Sequence, residues 1–255
     1  MQALKFNLSG KTAIFKRPDV NVHCYFTYSH IHKLALLGIL GAICGFSGYN
    51  QQKAHNDKQI KEKQSDILEF PEFYEELKNI KVSVIPKEPT FSTKKQKFNN
   101  SVGYASQEEG GNLVVTEQWL ENPAWKIFIL LDESKAAEKL KQRFLNREFV
   151  FIPYLGKNDH FANITDIKIV DLEKVQNCSK IASMVFANKI DKTEQNNDDW
   201  EDETDYFKYT ESLPVALDEA DNQYILEKFV FTNYNVKLNN FEDIYSFEDK
   251  NIAFF

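Results

Sequence analysis

Cysteine, arginine, methionine and glycine are scarce in this chain, and no long apolar run occurs. Three cysteines, Cys24, Cys44 and Cys178, lie far apart in 255 residues. An odd and dispersed set excludes a disulfide framework and fits a reducing compartment. No C-x-x-C or C-x-x-H pair is present, which removes a zinc knuckle. The longest apolar run, Leu34–Gly45, has twelve residues, whereas a membrane span needs about 20. It also lacks the flanks of a signal peptide. The expectation is a cytoplasmic protein without a membrane partner. Gly-x-Ser-x-Gly, a Walker loop, a dinucleotide fingerprint and His-Glu-x-x-His are all missing, so those enzyme classes lose their usual support. No metal or cofactor is expected.

The chain does have enough apolar residues to fold, 42%, with 27% charged. A chain of this length buries roughly three-quarters of its unfolded surface. Its net charge of −7 is unevenly spread. Residues 1–100 hold 15 Lys/Arg and 9 Asp/Glu, whereas residues 101–255 hold 16 and 29. The first fifty residues contain one acid, Asp19. A basic half can bind phosphate while an acidic half stays solvated.

Ala3–Leu8 alternates and predicts a strand with one buried face. Thr12–Phe15 is a second short extended piece. Ser29 reads as the N-cap of a helix over His30–Cys44. Along that helix Gly38, Gly41 and Gly45, followed by Gly48, fall within an arc of about 80°. Helical glycine costs about 1 kcal/mol relative to alanine, so a close backbone approach is expected there. The approaching element is the protein's own sheet or a partner. Gln51–Glu69 is a loop or solvated helix, and Pro71–Lys78 a short helix. Ile80–Ile85, Leu113–Trp119 and Trp125–Leu131 read as strands. Ser134–Leu145 reads as a helix with Ala137, Leu140 and Leu145 inward, and Phe149–Tyr154 as a strand. The order strand, helix, strand, strand, helix, strand is α+β and ferredoxin-like, as in RNA-recognition domains. The expected boundaries are a ferredoxin-like domain over 1–160, with an insert over 87–112, and a β-rich C-terminal lobe over 161–255. In that lobe Ile164–Val170, Ile181–Phe186, Tyr224–Phe231 and Asn235–Leu238 read as strands. Asp191–Asp205 carries eight acids and one lysine. It is read as a solvated loop, since a calcium loop needs a glycine between its acids.

Two basic clusters sit beside aromatic residues. Lys11, Lys16 and Arg17 flank Phe15. Lys94, Lys95 and Lys97 lie in the insert near Phe91, Phe98 and Tyr104. Lysine neutralises phosphate while a ring stacks on a base, so the pattern suits single-stranded RNA. An ordinary solvated loop is the alternative. Asn99, Asn100 and Ser101 with Gly110, Gly111 and Asn112 bracket Tyr104, and such residues offer backbone amides. Tyr154–His160 ends in a glycine turn with Lys157 and His160, a possible second clamp. Tyr28, His30, Lys33 and Lys97 could serve a metal-independent ribonuclease. His23, His30, His32 and His160 are the histidines considered for proton transfer.

These residues add up to a resemblance. Leu4-Lys5-Phe6, Gly10-Lys11-Thr12-Ala13-x-Phe15-x-x-Pro18, Tyr25–Tyr28 and Ile31–Gly38 resemble the CRISPR-associated "Cas five" family of the RAMP superfamily. Phe98–Tyr104, Gly110–Leu113, Glu117–Pro123 and Ile152–His160 resemble its type I-B version. The resemblance spans residues 1 to about 165. It implies a subunit of the Cascade interference complex of antiviral defence. Such a subunit caps the 5′ handle of CRISPR RNA, meets the backbone and large subunits, and lies near target DNA at its flanking motif. The insert 87–112 becomes a thumb that reaches the RNA. Lys11, Lys16, Arg17, Lys94, Lys95 and Lys97 then hold phosphates. Phe98 and Tyr104 stack on or wedge bases, and Phe15 and Tyr28 are further RNA-binding residues. Asn99, Asn100, Ser101 and Gly103 contact them, and Lys157 and His160 are further contacts. Gly38, Gly41 and Gly45 mark a partner-facing helix. The related type I-C branch cuts RNA with a tyrosine, a lysine and a histidine, and the insert here has no Lys-His pair. The expectation is binding without catalysis, with an endoribonuclease and a protein–protein adaptor as alternatives.

Overall fold

Leu4, Phe6 and Leu8 alternate with Ala3, Lys5 and Asn7 along Gln2–Ser9 (β1), so one face of the strand is wholly apolar and enters the main core. In the computed structural model, which describes residues 1–19, 22–99, 103, 107, 109, 112–194 and 205–255, ten elements follow up to residue 171. They are β2 (Thr12–Ala13), α1 (Lys33–Cys44), α2 (Tyr49–Glu62), α3 (Glu72–Leu77), β3 (Val82–Pro86), β4 (Thr93–Asn99), β5 (Val114–Glu121), β6 (Ala124–Leu131), α4 (Lys135–Asn146) and β7 (Asn163–Asp171). Among the described residues the remainder adds strands and one 3₁₀ turn. The strands are β8 (Glu173–Lys174), β9 (Val185–Phe186), β10 (Ile190–Glu194), β11 (Lys208–Leu217), β12 (Tyr224–Thr232), β13 (Asn235–Leu238), β14 (Ile244–Phe247) and β15 (Lys250–Ala253).

The fold is mixed α+β. The principal sheet has the order β3-β6-β1-β7 with every pair antiparallel. Its connectivity is the expected strand–helix–strand–strand–helix–strand order, with the first strand in the middle. The last strand is not the expected one. Phe149–Tyr154 forms no strand, only an isolated bridge from Tyr154 to Phe161. Pro153 removes a ladder donor there, and Phe151 and Ile152 point into solvent. The sheet is closed instead by β7, which begins three residues past the boundary drawn at 160/161. Leu113–Trp119 and Trp125–Leu131 do form strands, but in different sheets. β6 pairs with β1 and β3, whereas β5 pairs with β4 and β2.

Helix α1 starts later than the sequence suggested. His32, not Ser29, is the N-cap, and its Nδ1 accepts from the Ala35 N–H at 3.2 Å. The Ser29 N–H is taken by Glu211. On α4 the cap is Ser134 as expected, accepting from the Ala137 N–H. The buried face is Ala137, Leu140 and Phe144, and Leu145 is exposed. Spacings of three and four keep one helical face inward, and Leu145 is one residue off it. Phe144 packs on Phe6 with ring centroids 4.8 Å apart.

The glycines of α1 have separate reasons rather than one. A Cβ on Gly41 would lie 2.5 Å from Phe73 Cβ, so the close approach is made by α3, not by the sheet. Gly45 is the left-handed C-cap with φ +80°, and Gly48 caps α2. A Cβ on Gly38 would meet nothing within 4 Å. The back of the sheet is covered by Tyr245, Ile252 and Phe254 of β14, β15 and the C-terminus, against Ala3, Phe128 and Leu130. Among the described residues no single helix is long and apolar enough to cross a membrane. Most of the acidic run, 195–204, lies outside the described residues.

Candidate nucleic-acid interface

The insert between β3 and β6 is a hairpin. β4 pairs antiparallel with β5 from Thr93 opposite Leu120 to Asn99 opposite Val114. On the other edge of β5, the Tyr25 N–H donates to the Thr116 carbonyl and the Gln118 N–H donates to the Tyr25 carbonyl, both at 2.9 Å. The residues before α1 are thereby laced to the hairpin. Side chains alternate along β4, so the three lysines do not form one cluster. Lys95, Lys97 and Asn99 are exposed on one face, and Lys94, Gln96 and Phe98 are half-buried on the other.

Three lysines lie over aromatic rings around β5. Lys16 Nζ is 3.6 Å from the Tyr25 ring centroid, Lys94 Nζ is 5.5 Å from Trp119, and Lys157 Nζ is 5.3 Å from Phe98. Each such contact is worth about 0.5–1 kcal/mol at an exposed site. They hold cations at fixed points beside half-buried rings. Segments remote in sequence, the first loop, the hairpin and the Tyr154–His160 turn, therefore meet along the β4–β5 ladder, from Trp119 at its base to Phe98 at its far end.

Under these cations lies a buried polar network. Glu117, almost fully buried, accepts from Lys157 Nζ and from Trp119 Nε1, each at 2.8 Å. Nδ1 of the buried His160 is 2.6 Å from Thr12 Oγ1, and the ring stands perpendicular to Trp119 at 4.6 Å. Nε2 of His160 has no hydrogen-bond partner among the described residues. Burial holds the His160 pKa below the usual histidine value. The turn is fixed by its glycine. Gly156 has φ +91°, and a Cβ there would fall 1.7 Å from the Ile14 carbonyl oxygen. The Leu155 N–H donates to the His160 carbonyl at 2.7 Å, and the Ile14 N–H to the Leu155 carbonyl at 3.2 Å. Lys157 is paired with Glu117 but keeps its side chain 37% exposed, whereas the buried His160 has no exposed face to offer a ligand.

In the first loop Lys11 and Lys16 are exposed. Arg17 binds Asp19 with Nη2 to Oδ2 at 3.0 Å and lies 5.6 Å above the Tyr28 ring. Its pKa is raised by Asp19 first, with Glu211 adding. Phe15 and Tyr28, expected to bind RNA, are core residues at 2% exposure. With no free face they position the loop rather than touch a ligand. Burial pushes the Tyr28 phenol up to about 12. The C-terminal part reaches this loop too. The Glu211 carboxylate accepts from the Ser29 N–H at 3.1 Å and from the Tyr209 O–H, and burial raises its pKa.

Of the residues considered for proton transfer, His30 is fully buried. Nε2 is bound to the Pro89 carbonyl at 2.9 Å and Nδ1 accepts from Trp125 Nε1 at 3.4 Å. Burial lowers His30 to about 4 and His32 to about 3. Lys33 is lowered to about 8 by burial, with Lys81 adding. His23 is exposed. Asn100, Ser101 and Tyr104, with Gly110 and Gly111, lie outside the described residues, and Gly103 is exposed. Among the described residues no group of three His, Cys, Asp or Glu side chains could hold a metal ion. Sequence reasoning did not single out Glu117, Tyr25, Thr12 or Glu211. One signal was present for Glu117, an acid two residues from Trp119 on the same face of a strand.

No protein-family model matches the chain, and no curated protein matches it. Solved structures do. A chain from a "CRISPR RNA-guided surveillance complex" aligns over 92% of this chain and 91% of its own length, with 10% identity and a TM-score of 0.52. A chain of the Type III-B Cmr-beta complex bound to cognate target RNA and AMPPnP aligns over 93% and 86%, with 10% identity and a TM-score of 0.48. A CRISPR protein from Archaeoglobus fulgidus aligns over 99% and 98%, with 9% identity and a TM-score of 0.46. The first of these shows a shared fold over nearly the whole chain.

Proposed function

We propose that this chain is a non-catalytic, RNA-binding subunit of a type I CRISPR interference complex, close to the type I-B form. It holds the 5′ handle of the CRISPR RNA and meets the backbone and large subunits. One observation carries the reading: three lysine-on-ring pairs line the β4–β5 hairpin from Trp119 to Phe98, and the hairpin exposes Lys95 and Lys97. Fixed cations beside half-buried rings suit a single strand, with phosphates on the lysines and bases on the rings. The fold shared with a chain of an RNA-guided surveillance complex gives the same direction. Fold does not dictate function, so the reading rests on the hairpin.

The test is charge reversal, Lys94→Glu with Lys95→Glu and Lys97→Glu. Repeat-derived RNA is mixed with the full chain in EDTA and run on native and denaturing gels. The wild type is expected to shift intact RNA, and less as salt rises. Each lost phosphate contact on a single strand lowers the salt slope by about 0.7, so the triple variant should lose up to about 2. Unchanged binding and slope in the variant sink the hairpin assignment. A cut at one position makes the chain a processing nuclease instead.

A further inference from the structure

A groove of about 1190 Å³ runs from the Gly156 turn along α1 to the start of α2. Sites for one small ligand reach about 1000 Å³, and this groove is slightly larger. Its floor is the small-residue face of α1, Ala35, Gly38 and Ala42. Its walls are unusually bare. Phe151 is 58% exposed, Ile152 72%, Tyr154 43%, Phe161 67% and Tyr224 37%. Contiguous exposed apolar surface of this kind marks a binding site.

Charge and chemistry identify the occupant. Among the described residues no carboxylate lines the groove, although the chain carries a net charge of −7. Glu72 touches only its edge, through the N–H of Ser47 at 2.8 Å. The charged lining residues are Lys16 and Lys157, the same two that cap rings along the hairpin. At the other end, α2 opens with Gly48 as its cap and no acid in its first turn. Between these two ends lie bare aromatic rings. The interior glycine Gly38, which nothing in the fold requires, leaves the α1 backbone uncovered there.

We propose that the groove continues the RNA path. A single strand leaves the hairpin at Lys16 and Lys157 and runs over α1 with its unpaired bases against Phe151, Phe161 and Tyr224. This rests on the RNA-binding reading above and extends it to a second surface. An apolar protein segment would use the rings equally. It would have no use for an acid-free lining continuous with the fixed cations.

The experiment uses the full chain and a fluorescein-labelled single-stranded RNA 12-mer. Phe151→Ala with Phe161→Ala removes two exposed rings without opening the core. Gly38→Leu fills the groove from a position with free space and leaves the helix at least as stable. Loss of one stacked base corresponds to about tenfold in affinity. The double ring variant is expected to bind the 12-mer about a hundredfold more weakly and Gly38→Leu about tenfold more weakly, both with wild-type salt slope and unfolding midpoint. If the hairpin triple variant weakens binding and the groove variants do not, the groove proposal falls and the hairpin reading stands. If the groove variants keep RNA but lose neighbouring subunits from the purified complex, the groove docks protein and the proposal is overturned. If the wild type binds no RNA, both readings fall together.

Discussion

The hairpin and the groove share Lys16 and Lys157 but differ in how complete they are. Along the hairpin, rings carry cations, Lys157 has Glu117, and Trp119 donates its N–H to the same carboxylate. In the groove, rings face solvent and a helical glycine faces open space. A cluster that compensates its own polar groups needs no ligand to be stable, so it can hold a fixed geometry in advance. A surface that leaves apolar rings in water is stabilised only when something covers them. The comparison separates a preorganised anchor from a surface waiting for contact, and substitutions can break it from either side.

The largest effect is expected at the turn between the two regions. Gly156→Ala forces a Cβ into the Ile14 carbonyl at a positive φ and should cost about 2–5 kcal/mol. Thermal unfolding measures it, and an unchanged midpoint contradicts the turn geometry. Next comes Glu117→Ala, which strands the partly buried Lys157 ammonium and the Trp119 N–H. A loss of about 1.5–3 kcal/mol is expected in urea unfolding. Adding Lys157→Met should recover part of it, because the unpaired charge is gone. A strictly additive pair would show that the two groups do not interact.

Acid should destabilise the fold through the two buried histidines that precede α1. His30 and His32 are held neutral, with pKa values of about 4 and 3 against an ordinary 6.5. The unfolded chain takes up protons first, so their contribution is full above pH 6.5 and is lost as pH falls toward those values. The slope is about 1.4 kcal/mol per pH unit for each histidine. Urea midpoints at pH 7.5, 6 and 5 follow it, and a flat profile refutes the burial of these rings. The smallest effect has the opposite sign. Gly38→Ala, with open space at its Cβ, should stabilise α1 by up to about 1 kcal/mol. A destabilised variant would mean that the position is not open.

Much of this was legible in local pattern. The alternation in β1, the Ser134 cap of α4 and the strands β12 and β13 follow from short-range rules of side-chain direction and capping. The failures came where a local pattern had several physical outlets. Ser29 and His32 can both cap a helix; the cap is His32, and Glu211, 182 residues away from Ser29, holds the Ser29 N–H. Phe149–Tyr154 has the apolar content of a strand, but β1 already pairs with β7. The basic clusters were visible, yet strand alternation splits Lys94 from Lys95 and Lys97, and Phe15, Tyr28 and His160 turn inward.

The sequence by itself determined β1, β3, β6 and α4, the basic N-terminal half and the basic-aromatic composition of the insert, because each is carried by residue type and local spacing. Only the tertiary structure decided that Lys16, Lys94 and Lys157 meet around β5, that Glu117 is the buried acid beneath them, and that α1 leaves one glycine facing an open groove. Those arrangements join residues up to 141 positions apart in the chain. Their energy comes from burial and charge pairing that exist only once the sheet has brought the segments together.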